Sequence, residues 1–358
     1  MVVIAELTHS LSEHVSLDGV LGFLVLFVAV WWVWIGGTFY NERFETDDIS
    51  YRLLTFGQML PVAAMAVFAH DGLGSTSTEF ALSYAAARGL ITVMWVRGGL
   101  HDAAFRPVAN RFGIGFSFSI ALFVISAFVP APWRFVLWGI GLLSDLVTPV
   151  TTLGLQRRLP RFSASRLPER FGLFVIIVLG EMVVAVVQGM AEIEPFSAAV
   201  GLTGALGMAL AFGVWWVYFD FVSRRPSKQG IWWRLGWSYL HLPLVIGIAA
   251  AGAGILNVLT HIDEDLSASV LWLMAGAVAV ILVTIALIET TLVREPGEPT
   301  NPRTSLALKF AAAVAALALG LSDRVLDPIA LLVALILLVI VQMVYGAYVW
   351  FRPATAQR

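Results

Sequence analysis

Eleven stretches of this 358-residue chain are each long and apolar enough to be read as membrane spans: 18–40, 51–70, 78–97, 112–130, 133–152, 170–191, 197–221, 235–256, 268–293, 305–321 and 328–350. A span takes about 20 mostly apolar residues, because the hydrocarbon core is ~30 Å thick and a helix rises ~1.5 Å per residue. Inside lipid no water reaches the backbone, so its N–H and C=O groups must be paired within a helix or around a closed barrel. The runs are too long and too uniformly apolar for barrel strands, which are short and alternate. The predicted fold class is therefore all-α, a polytopic transmembrane helix bundle with the lipid bilayer as its partner. Composition agrees, with 59% hydrophobic and 13% charged residues, where a soluble domain has about 45–50% and about 25%. The absence of cysteine excludes disulfides and thiolate metal sites, and a net charge of −2 offers nothing to nucleic acid. No phosphate loop, zinc helix or nucleophile elbow is present, and the connections are too short to host a nucleotide-driven domain, so no cofactor or metal is expected.

The basic residues sort by connection. Those near 43–52, 97–111, 157–170, 224–234 and 294–303, with the C-terminus, hold eighteen Arg and Lys; the alternate connections hold only Arg134 and Arg324. The positive-inside rule then puts the basic connections and the C-terminus in the cytoplasm. "VWWV" at 30–33 recurs at 214–217, "RL" at 52–53 recurs at 234–235, and "LP" at 60–61 recurs at 242–243. These offsets predict two parallel six-helix repeats, residues 1–152 and 169–358, joined by a basic cytoplasmic linker at 153–168. At the same offset, the helix beginning near Glu169 would have a counterpart starting before Met1, so the chain is expected to begin inside its own first helix. Trp31, Trp32, Trp215 and Trp216 are expected to anchor at the interface.

The stretches "WWVWIGGTFYNERFETDD" (31–48), "RLLTFGQM" (52–59), "ERFGLFVIIVLGE" (169–181), "WWVYFD" (215–220) and "YLHLPLVIGI" (239–248) resemble the bacterial low temperature requirement A family over essentially the whole chain. The resemblance implies a multi-pass membrane protein and supplies no catalytic residues.

Three ionisable residues fall near mid-span: Arg88, Asp145 and Glu181. Such a group costs roughly 2.5–3.5 kcal/mol at a helix centre on insertion scales and faces protein or a water cavity. Arginine does not lose its charge at ordinary pH, so Arg88 needs an anion. The expected pairing is with Glu181, or with both acids, and the three are candidates for a substrate or proton pathway. The bland alternative is a buried ion pair that fixes helix register. Asp220, His241 and Glu289 form a second polar layer nearer the basic side, with Tyr218 and Tyr239 nearby. His241 could shuttle protons, or these tips reach headgroups and carbonyls. Gln58, Pro61 and Pro243 are kink or cavity candidates, since proline frees a backbone carbonyl. In "NERFETDD", Asp47, Asp48 and Ser50 can cap the next helix, and the acidic set Glu42, Glu45, Asp47 and Asp48 is read as a turn rather than a cation site.

Three function classes fit. The first is a secondary transporter or permease for a small, possibly anionic solute. The second is a membrane sensor or scaffold with structural charges. The third is a lipid-modifying enzyme using Asp220, His241 and Glu289.

Overall fold

The computed structural model describes residues 2–44, 48–159, 166–223, 225–262, 266–294, 300–321 and 327–351. Thirteen α-helices lie among them and no β-strand. In chain order they are α1 Val2–Glu13, α2 Leu17–Arg43, α3 Ile49–Ala69, α4 Ser77–His101, α5 Arg106–Ser126, α6 Trp133–Thr151 and α7 Leu153–Gln156. There follow α8 Arg166–Ala191, α9 Ala198–Tyr218, α10 Ile231–Thr260, α11 Ala268–Thr291, α12 Pro302–Gly320 and α13 Pro328–Trp350. A π-helical turn, Phe219–Ser223, extends α9.

Ten helices have the length and apolar composition to cross a membrane. Eleven spans were expected. The one that fails on composition is α4, which is 25 residues long but carries Glu79, Arg88, Arg97 and His101. Arg88 is nevertheless fully buried, so protein rather than lipid surrounds its charge.

Local chemistry sets the helix starts. Asp48 caps α3 by accepting from Tyr51 N, as the sequence suggests. Ser197 and Ser267 cap α9 and α11, each accepting from the N–H three residues on. Asn301 and Asp327 do the same for α12 and α13, and each of these helices then opens on proline, whose missing N–H costs nothing there. Asp47 and Glu45 lie outside the described residues.

The chain divides into two compact units, one comprising residues 1–10 and 21–167, the other residues 11–20 and 168–358. In the first, α4 packs between α3 and α5, and α5 packs on α6. In the second, α10, α11 and α12 pack in sequence and α9 lies on α13. Close approach of α10 and α11 rests on small residues: a Cβ at Gly247 would lie 2.9 Å from Ile281 Cγ1, and one at Gly254 would lie 2.6 Å from Met274 Cγ. Among the described residues one antiparallel bridge, Ser227 to Leu292, ties the loop after the π-turn to the end of α11.

Trp215 and Trp216 remain exposed on α9, but Trp31 and Trp32 are buried. The latter pair are therefore core residues, not interfacial anchors. The indole body is mostly apolar, so it serves either place equally well.

Candidate functional site

Two charged clusters are built inside the helices, one in each unit. In the first unit Arg88 on α4 reaches Asp145 on α6, with Nη2 2.9 Å from Oδ1, and both side chains are fully buried. The other carboxylate oxygen, Oδ2, accepts from the Tyr84 hydroxyl at 2.5 Å and from Ser119 Oγ at 2.9 Å. Three donors thus hold one carboxylate, the arrangement a buried charge needs to offset its lost hydration. The Arg88 guanidinium lies over the Phe116 ring at 4.2 Å, which adds cation–π attraction. Its Nη1 sits against Gly36 of α2, where a Cβ would come within 2.7 Å. Phe123 packs tilted against Tyr84 at 4.2 Å between ring centroids and stacks on Trp138. The cluster is sealed in aromatic packing.

Arg88 was expected to pair with Glu181, or with both acids. Its ion-pair partner is Asp145. Glu181 lies on α8 in the second unit, is 4% exposed, and makes no hydrogen bond or ion pair among the described residues. Matching depth in sequence did not select the partner, because depth says nothing about which helices are neighbours.

The second cluster centres on a residue the sequence reading passed over, Lys309 of α12. Its Nζ lies 2.6 Å from Glu289 Oε1 of α11, with side chains 0% and 4% exposed. Ser305, one turn back on α12, donates to Glu289 Oε2 at 2.8 Å, while Lys309 donates to Ser305 at 2.8 Å. The ammonium also sits over the Phe221 ring of the π-turn at 3.6 Å, and Asp220 of the same turn contributes negative charge beside it. A π-helical turn widens the backbone and re-aims its side chains, and such turns recur at functional sites. Asp220 packs closely on α13, for a Cβ at Gly346 would lie 2.6 Å from its Oδ2. Gln342 of α13 donates to the Leu308 carbonyl at 3.3 Å, while its own Oε1 is buried and unbonded among the described residues.

Of Asp220, His241 and Glu289, the structure brings two together at Lys309 and ties the third to other partners. Asp220 and Glu289 belong to the Lys309 cluster; His241 of α10 is tied elsewhere. Its Nδ1 lies 2.7 Å from the Trp237 carbonyl and its Nε2 lies 3.1 Å from the Tyr218 hydroxyl. A carbonyl only accepts, so Nδ1 carries the proton and Nε2 accepts from tyrosine. Both ring nitrogens are satisfied in the neutral form, boxed by Phe171 and Trp237. His241 is a core histidine.

Of the kink candidates, Pro61 lies inside α3 and Pro243 inside α10, and both helices continue through them. Gln58 faces α2, its Nε2 3.7 Å from where a Gly37 Cβ would stand.

Many apolar spans with ionic groups enclosed among them define a multi-pass helical membrane protein. Residues 1–344 match the family described as bacterial low temperature requirement A protein (LtrA), and the chain belongs to that family. An uncharacterized protein of Rhizobium meliloti (strain 1021) is 28% identical over 275 residues, covering 70% of this chain. The match covers 64% of that relative, less than two thirds of its length. No solved structure matches the chain.

Proposed function

We propose that the protein is a secondary transporter of a small anionic or zwitterionic solute in the bacterial cytoplasmic membrane, with its basic loops and C-terminus in the cytoplasm. The observation that carries this reading is the Lys309 cluster. A lysine enclosed between spans, sharing Glu289 with Ser305 and flanked by Asp220 on a π-turn, draws its groups from three separate elements. An ammonium is a compact charge on a flexible stem; a solute carboxylate or phosphate that displaced Glu289 would take over its place on Lys309. The freed Glu289 could then carry a proton. Glu181 is a further pathway candidate on α8. The two-repeat organisation expected from the sequence offsets agrees with this class by analogy to known transporters, and fold alone does not establish function.

The scaffold reading has one observation in its favour. Asp145 accepts from Arg88, Tyr84 and Ser119, and both members of the ion pair are fully buried, which suits a fixed strut, while Arg88 Nε and Nη1 make no hydrogen bond among the described residues. We assign that cluster to structure and Lys309 to transport. The lipid-enzyme reading loses support, because His241 has no nitrogen left to act as a base.

The test is purified protein in proteoliposomes on a solid-supported membrane, challenged with a panel of small carboxylates, phosphates and amino acids with and without a pH gradient. Solute-dependent currents that disappear in Glu289→Gln and Lys309→Met, with melting temperatures still cooperative, are expected. Silence across the panel in wild type, or currents unchanged in both variants, would leave the Lys309 cluster as a strut like Arg88.

A further inference from the structure

A cavity of about 390 Å³ opens at the basic end of the first unit, lined by Arg111, Thr151, Gly154, Leu155 and Arg158. Arg111 belongs to the early part of α5 and Thr151 is the last residue of α6, while Gly154, Leu155 and Arg158 follow in and after the short α7. The cavity therefore sits where two spans end, at the depth of the lipid headgroups. We propose that it holds an anionic phospholipid with a hydroxyl-bearing headgroup, such as phosphatidylglycerol.

Charge is the first reason. The side chains of Arg111 and Arg158 are exposed and make no hydrogen bond or ion pair among the described residues. From Ala103 to Pro168 the sequence contains a single carboxylate, Asp145, and that one is committed to Arg88. Two guanidinium forks from different elements face a space in which the protein supplies no anion. Guanidinium matches phosphate oxygens in a bidentate geometry.

Shape and hydrogen bonding choose the headgroup. Gly154 has open space where a Cβ would stand, so a ligand can approach its backbone. Thr151 donates its hydroxyl hydrogen to the Thr148 carbonyl at 2.9 Å; what it still offers is an acceptor. A glycerol hydroxyl can donate to it, while two arginines repel the ammonium of phosphatidylethanolamine. Half-buried Leu155 gives the acyl end an apolar wall. The position at the span ends favours a lipid over free phosphate, because basic pockets at this depth lie within the anionic leaflet surface.

The experiment uses the full chain in detergent micelles, with native mass spectrometry of bound lipid during titration with phosphatidylglycerol, phosphatidic acid or phosphatidylethanolamine. R111Q/R158Q is compared with R170Q/R303Q, an equal loss of charge in the other unit. Expected is retention of phosphatidylglycerol by wild type and by R170Q/R303Q, and about 30-fold weaker retention by R111Q/R158Q. Thr151→Val should narrow the preference for phosphatidylglycerol over phosphatidic acid. Equal retention by the two double variants would overturn the site, as would equal retention of phosphatidylethanolamine. Displacement of the lipid by millimolar inorganic phosphate would show a soluble-anion site instead and overturn the lipid assignment. Single R158Q, on an exposed residue, serves if the double variant does not fold.

Discussion

Asp145 satisfies three donors from three other side chains, so the cost of removing any partner depends on what is left behind. Arg88→Met leaves a buried carboxylate without its cation, and we expect a loss of about 3–5 kcal/mol. The R88M/D145L pair, which removes both charges at similar volume, should recover most of that loss. Thermal unfolding of the two single variants and the double variant in detergent checks the cycle; an additive double would show that the pair does not act as a unit. Asp48 gives a second prediction at an exposed position. Its carboxyl is held at about 2, against an ordinary 3.8, first by the Ser50 hydroxyl, then by the Tyr51 N–H and by Arg97. The folded value lies below the unfolded one, so the cap contributes fully above about pH 3.8 and is lost as pH falls through about 2. The melting temperatures of wild type and Asp48→Asn should therefore differ at neutral pH and converge toward pH 2. Asp48 was legible in sequence because capping is local. Lys309 was not, because in an apolar run starting at Ser305 the lysine is only the fifth residue, near the end from which long side chains reach the headgroups. The helix starts at Pro302, which carries Lys309 about 10 Å inward. The usable signal was the Ser305–Lys309 spacing of four, which puts both on one face.

At the scale of elements, hydropathy located the long helices well, since length and apolarity are properties of each segment alone. It did not give their neighbours. Arg88 could be matched to Asp145 only once α4, α5 and α6 were seen to pack together, and His241 separated from Asp220 and Glu289 only once α10 was placed. The small-residue face of α10 is an element-level feature with a direct test. At Gly247 an added Cβ meets Ile281 Cγ1 at 2.9 Å and the Ala277 carbonyl at 3.1 Å, a backbone atom that cannot swing aside. Gly247→Val should cost about 1–3 kcal/mol by overpacking, seen as a lower melting temperature. Gly276→Ala, where nothing lies within 4 Å of the added carbon, should leave it unchanged or raise it, since alanine is the better helix former.

For the molecule as a whole, the two ion pairs differ in how far apart their partners lie along the chain, and this bears on biosynthesis. Glu289 and Lys309 sit on consecutive helices, so α11 and α12 can leave the translocon as a neutral hairpin. Arg88 precedes Asp145 by 57 residues, with all of α5 between them. At about 5–20 residues per second, α4 waits about 3–11 s for its counter-ion. During that interval the one long helix lacking a span-like composition must linger beside the translocon or lie unpaired. Nascent chains cut before α6 should thus fail to integrate α4, and chains extended through Thr151 should integrate it, as read by glycosylation tags on the flanking loops. Asp145→Leu in the longer chain should restore the failure. Where an arginine can enter the bilayer is then decided by a residue the ribosome has not yet translated.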